Sequence, residues 1–107
     1  MKLHNDFTDE QKILWSDVWW CHAPGKRNGF CESNEGVSLH HICGRKGKYN
    51  KSTLNGIPLC LKHHEQYTFL DKGELLKITI KFLMSIFYKL TEEDVLFYKE
   101  HIMYYDA

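Results

Sequence analysis

Residues 39–66 read LHHICGRKGKYNKSTLNGIPLCLKHHEQ, and the order of short elements in this stretch sets the fold. Residues 37–42 are apolar and β-branched and end in the doublet His40-His41, which predicts a strand. The chain then enters Gly44-Arg45-Lys46-Gly47-Lys48, too rich in glycine and charge to be regular throughout. Gly56 and Pro58 interrupt regularity around Ile57 and Leu59, and a helix can begin near Cys60 with His63, His64 and Tyr67 on one side. Strand, loop, strand, helix is the predicted order. Neighbouring strand residues point to opposite sides, so His40 and His41 are expected to serve two different roles.

This stretch resembles the His-Asn-His (HNH) endonucleases, whose pattern is a His or Asp beside a His, then an Asn, then Leu-Cys-x-x-Cys-His. The corresponding positions are His40, His41, Asn55, Cys60, His63 and His64, with His63 standing where that family usually has a second Cys. Imidazole replaces thiolate readily in a zinc site. The resemblance covers less than half the chain. It implies a small ββα-metal core over 21–68, phosphodiester hydrolysis with a single divalent ion, and products carrying a 5′ phosphate and a 3′ hydroxyl. By the same resemblance His41 is the general base, His40 and His64 hold the catalytic ion, and Asn55 hydrogen-bonds across the loop to fix the strand that carries the base.

Elementary chemistry fits these residue types. Phosphodiester cleavage near neutral pH needs a base with a pKa near 7 to activate water, and histidine is the natural choice. It also needs a cation where charge develops, and His-rich coordination suits magnesium, manganese, nickel or zinc. Asn55 can donate and accept at once, as cross-loop bracing requires.

Cys60-x-x-His63 is half of a closed tetrahedral zinc site, which needs a second pair of ligands. Cys21 and Cys31 are the expected pair, although nine residues of a Gly/Pro loop separate them where the family has a tight Cys-x-x-Cys. Cys43 or His22 could replace either on chemical grounds. Cys43 otherwise reads as a buried or free thiol, and His4, His22 and His101 as isolated surface or core residues.

The whole chain has 107 residues, 43% of them apolar, which predicts one ordinary globular domain. No apolar run is long enough to span a membrane and the polar N-terminus does not read as a signal peptide, so the expected location is cytoplasmic. In that compartment four cysteines beside seven histidines point to metal rather than to disulfides. Net charge is zero, but Cys21 to His64 carries seven Lys and Arg against two Glu, so the Cys/His segment is the basic part. Arg45, Lys46 and Lys48 are expected to contact nucleic acid.

The flanks read as helical. Thr8 with Gln11 forms a capping-box pattern opening a helix over 8–20, and 73–106 forms an extension of two amphipathic helices, the second opened by Thr91 and Asp94 and running through Met103. Packing against the module is expected to bury Trp15, Trp19, Phe82 and Phe87, while Tyr98, Tyr104 and Tyr105 are expected in the core. The fold class is thus α+β, a zinc-bearing ββα core between an N-terminal helix and two C-terminal ones. The expected activity is that of a metal-dependent endonuclease acting on DNA, of the compact kind found in phages and mobile elements. The competing class is a non-catalytic, zinc-stabilised module that binds nucleic acid or protein; a protein partner or self-association is open.

Overall fold

In the computed structural model, which describes residues 7–25 and 29–102, the central stretch folds as β1 (Ser38–His41), β2 (Gly56–Leu59) and α2 (Leu61–Glu65). The strands pair antiparallel, with Ser38 opposite Leu59, Leu39 opposite Pro58, His40 opposite Ile57 and His41 opposite Gly56. Pro58 lacks an N–H, but its carbonyl serves the other edge, accepting the N–H of His22 at 2.9 Å. Backbone contacts therefore flank β2 on both sides, and all four of its residues are buried.

The segment that meets β2 doubles back on itself. Cys21 N–H donates to Ser33 O at 2.8 Å, Glu32 N–H to Cys21 O at 2.9 Å, and Cys31 N–H to Ala23 O at 2.9 Å, while Pro24 bridges Phe30. Ten positions apart in sequence, Cys21 and Cys31 become neighbours across this ribbon.

Four α-helices surround the sheet among the described residues, giving a mixed α+β fold. α1 (Asp9–Ile13) starts on the predicted capping box, in which Thr8 and Gln11 exchange side-chain and backbone bonds. It does not run to residue 20. A 3₁₀ turn follows at Ser16–Val18, and Trp19 and Trp20 are not helical. Aromatic and β-branched residues give a helix little support here, and tertiary packing decides otherwise. Trp15 is buried against Phe82, with ring centroids 4.0 Å apart, and the chain beyond it extends to bring Cys21 into the ribbon.

α3 (Lys72–Ser85) begins at Asp71, whose carboxylate accepts the N–H groups of Gly73 and Glu74. It buries Leu75, Leu76, Thr79 and Leu83 against the sheet and the 3₁₀ turn Thr53–Asn55. Thr79 donates its hydroxyl to Gly56 O at 3.4 Å. α3 ends in a Schellman motif: Tyr88 N–H donates to Leu83 O at 2.9 Å, Phe87 N–H to Met84 O at 3.1 Å, and Phe87 takes φ 58°. That left-handed turn throws the Phe87 side chain outward, 92% exposed, contrary to its expected burial, and returns Tyr88 toward the protein.

α4 (Glu92–Phe97) opens on the Thr91/Asp94 capping box and continues as a wider π turn, Tyr98–Ile102. Tyr98 packs partly buried against the core. His4, Met103, Tyr104 and Tyr105 lie outside the described residues.

Asp94 is a buried pin. Its Oδ1 accepts Ser52 Oγ–H at 2.6 Å and Thr53 N–H at 3.1 Å, and its Oδ2 accepts Tyr88 O–H at 2.6 Å and Thr91 N–H at 2.9 Å. A buried carboxylate is tolerable only when its oxygens are satisfied in this way. The pin ties α4 to the turn preceding β2. Among the described residues no helix is long and apolar enough to cross a membrane.

Candidate metal centre and adjoining cleft

The ribbon and the start of α2 converge on one group. The ligand atoms of Cys21, Cys31, Cys60 and His63 all lie within 4.8 Å of one another. His63 Nδ1 is 3.4 Å from both Cys21 Sγ and Cys60 Sγ. A tetrahedral zinc ion with ordinary Zn–S and Zn–N bonds separates sulfur from nitrogen by about 3.5 Å, so three thiols and one imidazole can hold such an ion here. Burial raises the Cys21 thiol to about 12. Burial pushes Cys60 the same way, but the His63 N–H, the other two thiols and the Lys62 N–H outweigh it and lower that thiol. Cys60 caps α2, where the first amides of a helix favour a thiolate.

Neither alternative ligand joins this group. His22 is buried, its Nδ1 lies 2.7 Å from Trp20 O, and its ring stacks on Trp20 with centroids 4.0 Å apart. Cys43 lies beyond β1, half-buried, and burial raises its thiol against the opposing charge of Lys72.

A cleft of about 900 Å³ opens on another part of the surface, lined by His40, His41, Arg45, Lys46, His64 and Lys72 among others. His40 comes from β1 and His64 from α2, and their rings stand edge to face with centroids 5.0 Å apart. Ser38 shares the strand face of His40, and its Oγ lies 3.1 Å from His64 Nδ1. That contact orients the His64 ring and leaves Nε2 for a second partner. Burial, followed by the charges of His64, His41 and Lys72, holds His40 down at about 4. His40 is therefore neutral at physiological pH, the form in which imidazole binds cations. Burial and Arg45 lower His64 in the same direction.

His41, which also lines the cleft, stacks on Phe7, with centroids 4.2 Å apart and planes 20° apart. Its partner across the sheet, Gly56, makes this stacking sterically feasible, because a Cβ there would stand 2.8 Å from the Phe7 ring.

Behind His41 the chain turns under tight control. Asn55 is fully buried; its Oδ1 accepts Cys43 N–H at 2.7 Å, and its Nδ2 donates to Gly44 O at 3.1 Å and Asn50 O at 2.9 Å. Asn50 supplies a second brace, donating to Cys43 O at 3.0 Å and Gly44 O at 2.9 Å. A Cβ on Gly47 would overlap the Asn50 side chain, so only glycine fits there.

Arg45 and Lys46 line the cleft, whereas the Lys48 ammonium sits 5.5 Å over the Tyr49 ring and does not. Four neighbours of the site carry no motif: Ser38, Asn50, Lys72 and Tyr67, whose ring centroid is 5.1 Å from that of His40. Alternation along the strand could have picked out Ser38, two residues before His40. Tyr67 lies on the side already read for His63 and His64, while Asn50 and Lys72 depend on folding distant segments together. No protein-family model, curated protein or solved structure matches the chain.

Proposed function

We propose that this chain is a metal-dependent endonuclease of the HNH kind, built on a ββα-metal core over 21–68 and hydrolysing phosphodiester bonds in DNA. One juxtaposition carries the reading: His40 and His64, from strand and helix, meet at 5.0 Å inside a cleft that also holds Arg45, Lys46 and Lys72. A purely structural zinc module has no use for this second pair of imidazoles, because the Cys21/Cys31/Cys60/His63 group already offers four ligands.

His40 and His64 would hold a divalent ion, which would supply charge neutralisation at the scissile phosphate. His41 accepts the proton of the attacking water, and its ring is steadied by the Phe7 stack and by the Asn55 brace two residues on. Arg45, Lys46 and Lys72 meet the phosphate oxygens. The Cys₃His group would hold zinc and so anchor the ribbon to α2, keeping His64, next to His63, in its place.

Cobalt or nickel binding to zinc-loaded protein, with DNA cleavage read in parallel, tests the proposal. The expected result is one further ion per chain, lost together with cleavage in His64→Ala. A protein that binds no second ion and cuts no DNA is instead a zinc-stabilised binding module.

A further inference from the structure

We propose that His101, in the C-terminal π turn, latches the 43–50 loop through Asn50 and thereby positions the cationic wall of the cleft. His101 Nε2 lies 3.1 Å from Asn50 Oδ1 across a sequence separation of 51 residues. Both hydrogens of the Asn50 amide are committed to the carbonyls of Cys43 and Gly44. The oxygen facing His101 can only accept, so His101 must carry its hydrogen on Nε2. Glu100 Oε1 lies 3.2 Å from the same nitrogen and can share that hydrogen.

The latch has a firm base. The His101 ring packs on that of Phe97, with centroids 4.6 Å apart, and Phe97 and Ile102 on either side are buried in the core. Asn50 is itself only 2% exposed, whereas residues 44–48 are exposed. The order of transmission is thus core, His101, Asn50, and the Cys43–Gly44 peptide, which follows His41 and leads into Arg45 and Lys46. His101 does not line the cleft, so it is a positioning residue, and the C-terminal segment becomes part of the site's construction. The functional consequence rests on the nuclease reading of the cleft; the latch itself does not.

The test uses the full chain with zinc bound, comparing wild type, His101→Leu and His101→Gln. A glutamine amide can donate to Asn50 Oδ1 and leucine cannot. Amide hydrogen exchange over residues 43–50 is expected to be about five- to tenfold faster in His101→Leu and near wild type in His101→Gln, since one hydrogen bond governs the local opening. Binding of a DNA oligonucleotide is expected to weaken in the leucine variant and recover in the glutamine variant. Unchanged exchange in His101→Leu, or equal loosening in both variants, overturns the latch. Should the leucine variant not fold, the ¹⁵N shifts of wild-type His101 decide: an Nε2–H tautomer is required, and an Nδ1–H tautomer overturns the proposal. These readouts need no cleavage. A wild type that cuts nothing removes the nuclease reading alone, and a cutting wild type with unaltered loop exchange in His101→Leu removes the latch alone.

Discussion

The side-chain oxygen of Asn55 accepts the backbone N–H of Cys43 at 2.7 Å, so a residue at the mouth of β2 holds the turn that leaves β1 just after His41. With the bonds to Gly44 O and Asn50 O, all three contacts lie at a fully buried side chain. Asn55→Ala strands these backbone groups and is expected to cost about 2–4 kcal/mol. Urea unfolding of the zinc-loaded protein measures it. A loss under about 0.5 kcal/mol would mean that the brace is dispensable.

Zinc is expected at one ion per chain, and its removal by a strong chelator should abolish cooperative unfolding, because the ribbon and α2 are joined at the metal group. Cys21→Ala, Cys31→Ala and Cys60→Ala should each lose zinc, while Cys43→Ala retains it. Metal analysis of the purified variants separates these outcomes. Full zinc in Cys31→Ala would refute the ligand set.

Tyr88 donates to the buried carboxylate of Asp94 at 2.6 Å; burial first, and that bond second, raise the phenol to about 12. A raised folded-state pKa means that the proton is held more tightly in the folded protein, so this contribution is complete below the unfolded value near 10 and is lost as pH rises through about 12. The stability advantage of wild type over Tyr88→Phe should therefore shrink across that interval. Denaturant midpoints for both proteins at each pH measure the gap, and a constant gap contradicts the assignment.

Phe87 occupies the left-handed position of a Schellman motif that glycine usually fills, and it is 92% exposed, so its side chain gains little from packing. Phe87→Gly is expected to stabilise the protein by about 1 kcal/mol through relief of backbone strain. Thermal unfolding decides, and a lower Tm would show that the exposed ring contributes to folding after all.

Local signals were readable from the chain, and long-range ones were not. The capping boxes at Thr8/Gln11 and Thr91/Asp94 each depend on residues three apart. The need for a second ligand pair was legible in Cys60-x-x-His63, but the ribbon that makes Cys21 and Cys31 neighbours was not, since its backbone bonds carry no residue code. Helix 8–20 failed where burial of Trp15 on Phe82 redirected the chain, a tertiary effect that overrides propensity. Ser38, two residues before His40, is legible in strand alternation, whereas the pairings of Asn50 with His101 and of Ser52 with Asp94 span 51 and 42 residues and leave no periodic trace.

The most direct measurement is cleavage of plasmid and single-stranded DNA by purified, zinc-loaded protein in magnesium, manganese or nickel, beside His41→Ala shown to be folded and zinc-replete. Cleavage by the wild type and a loss of at least about a hundredfold in His41→Ala is the expected result, since removing a general base costs that much or more. Equal cleavage by both proteins would contradict the assignment of His41, and no cleavage with any ion or substrate would contradict the nuclease reading itself.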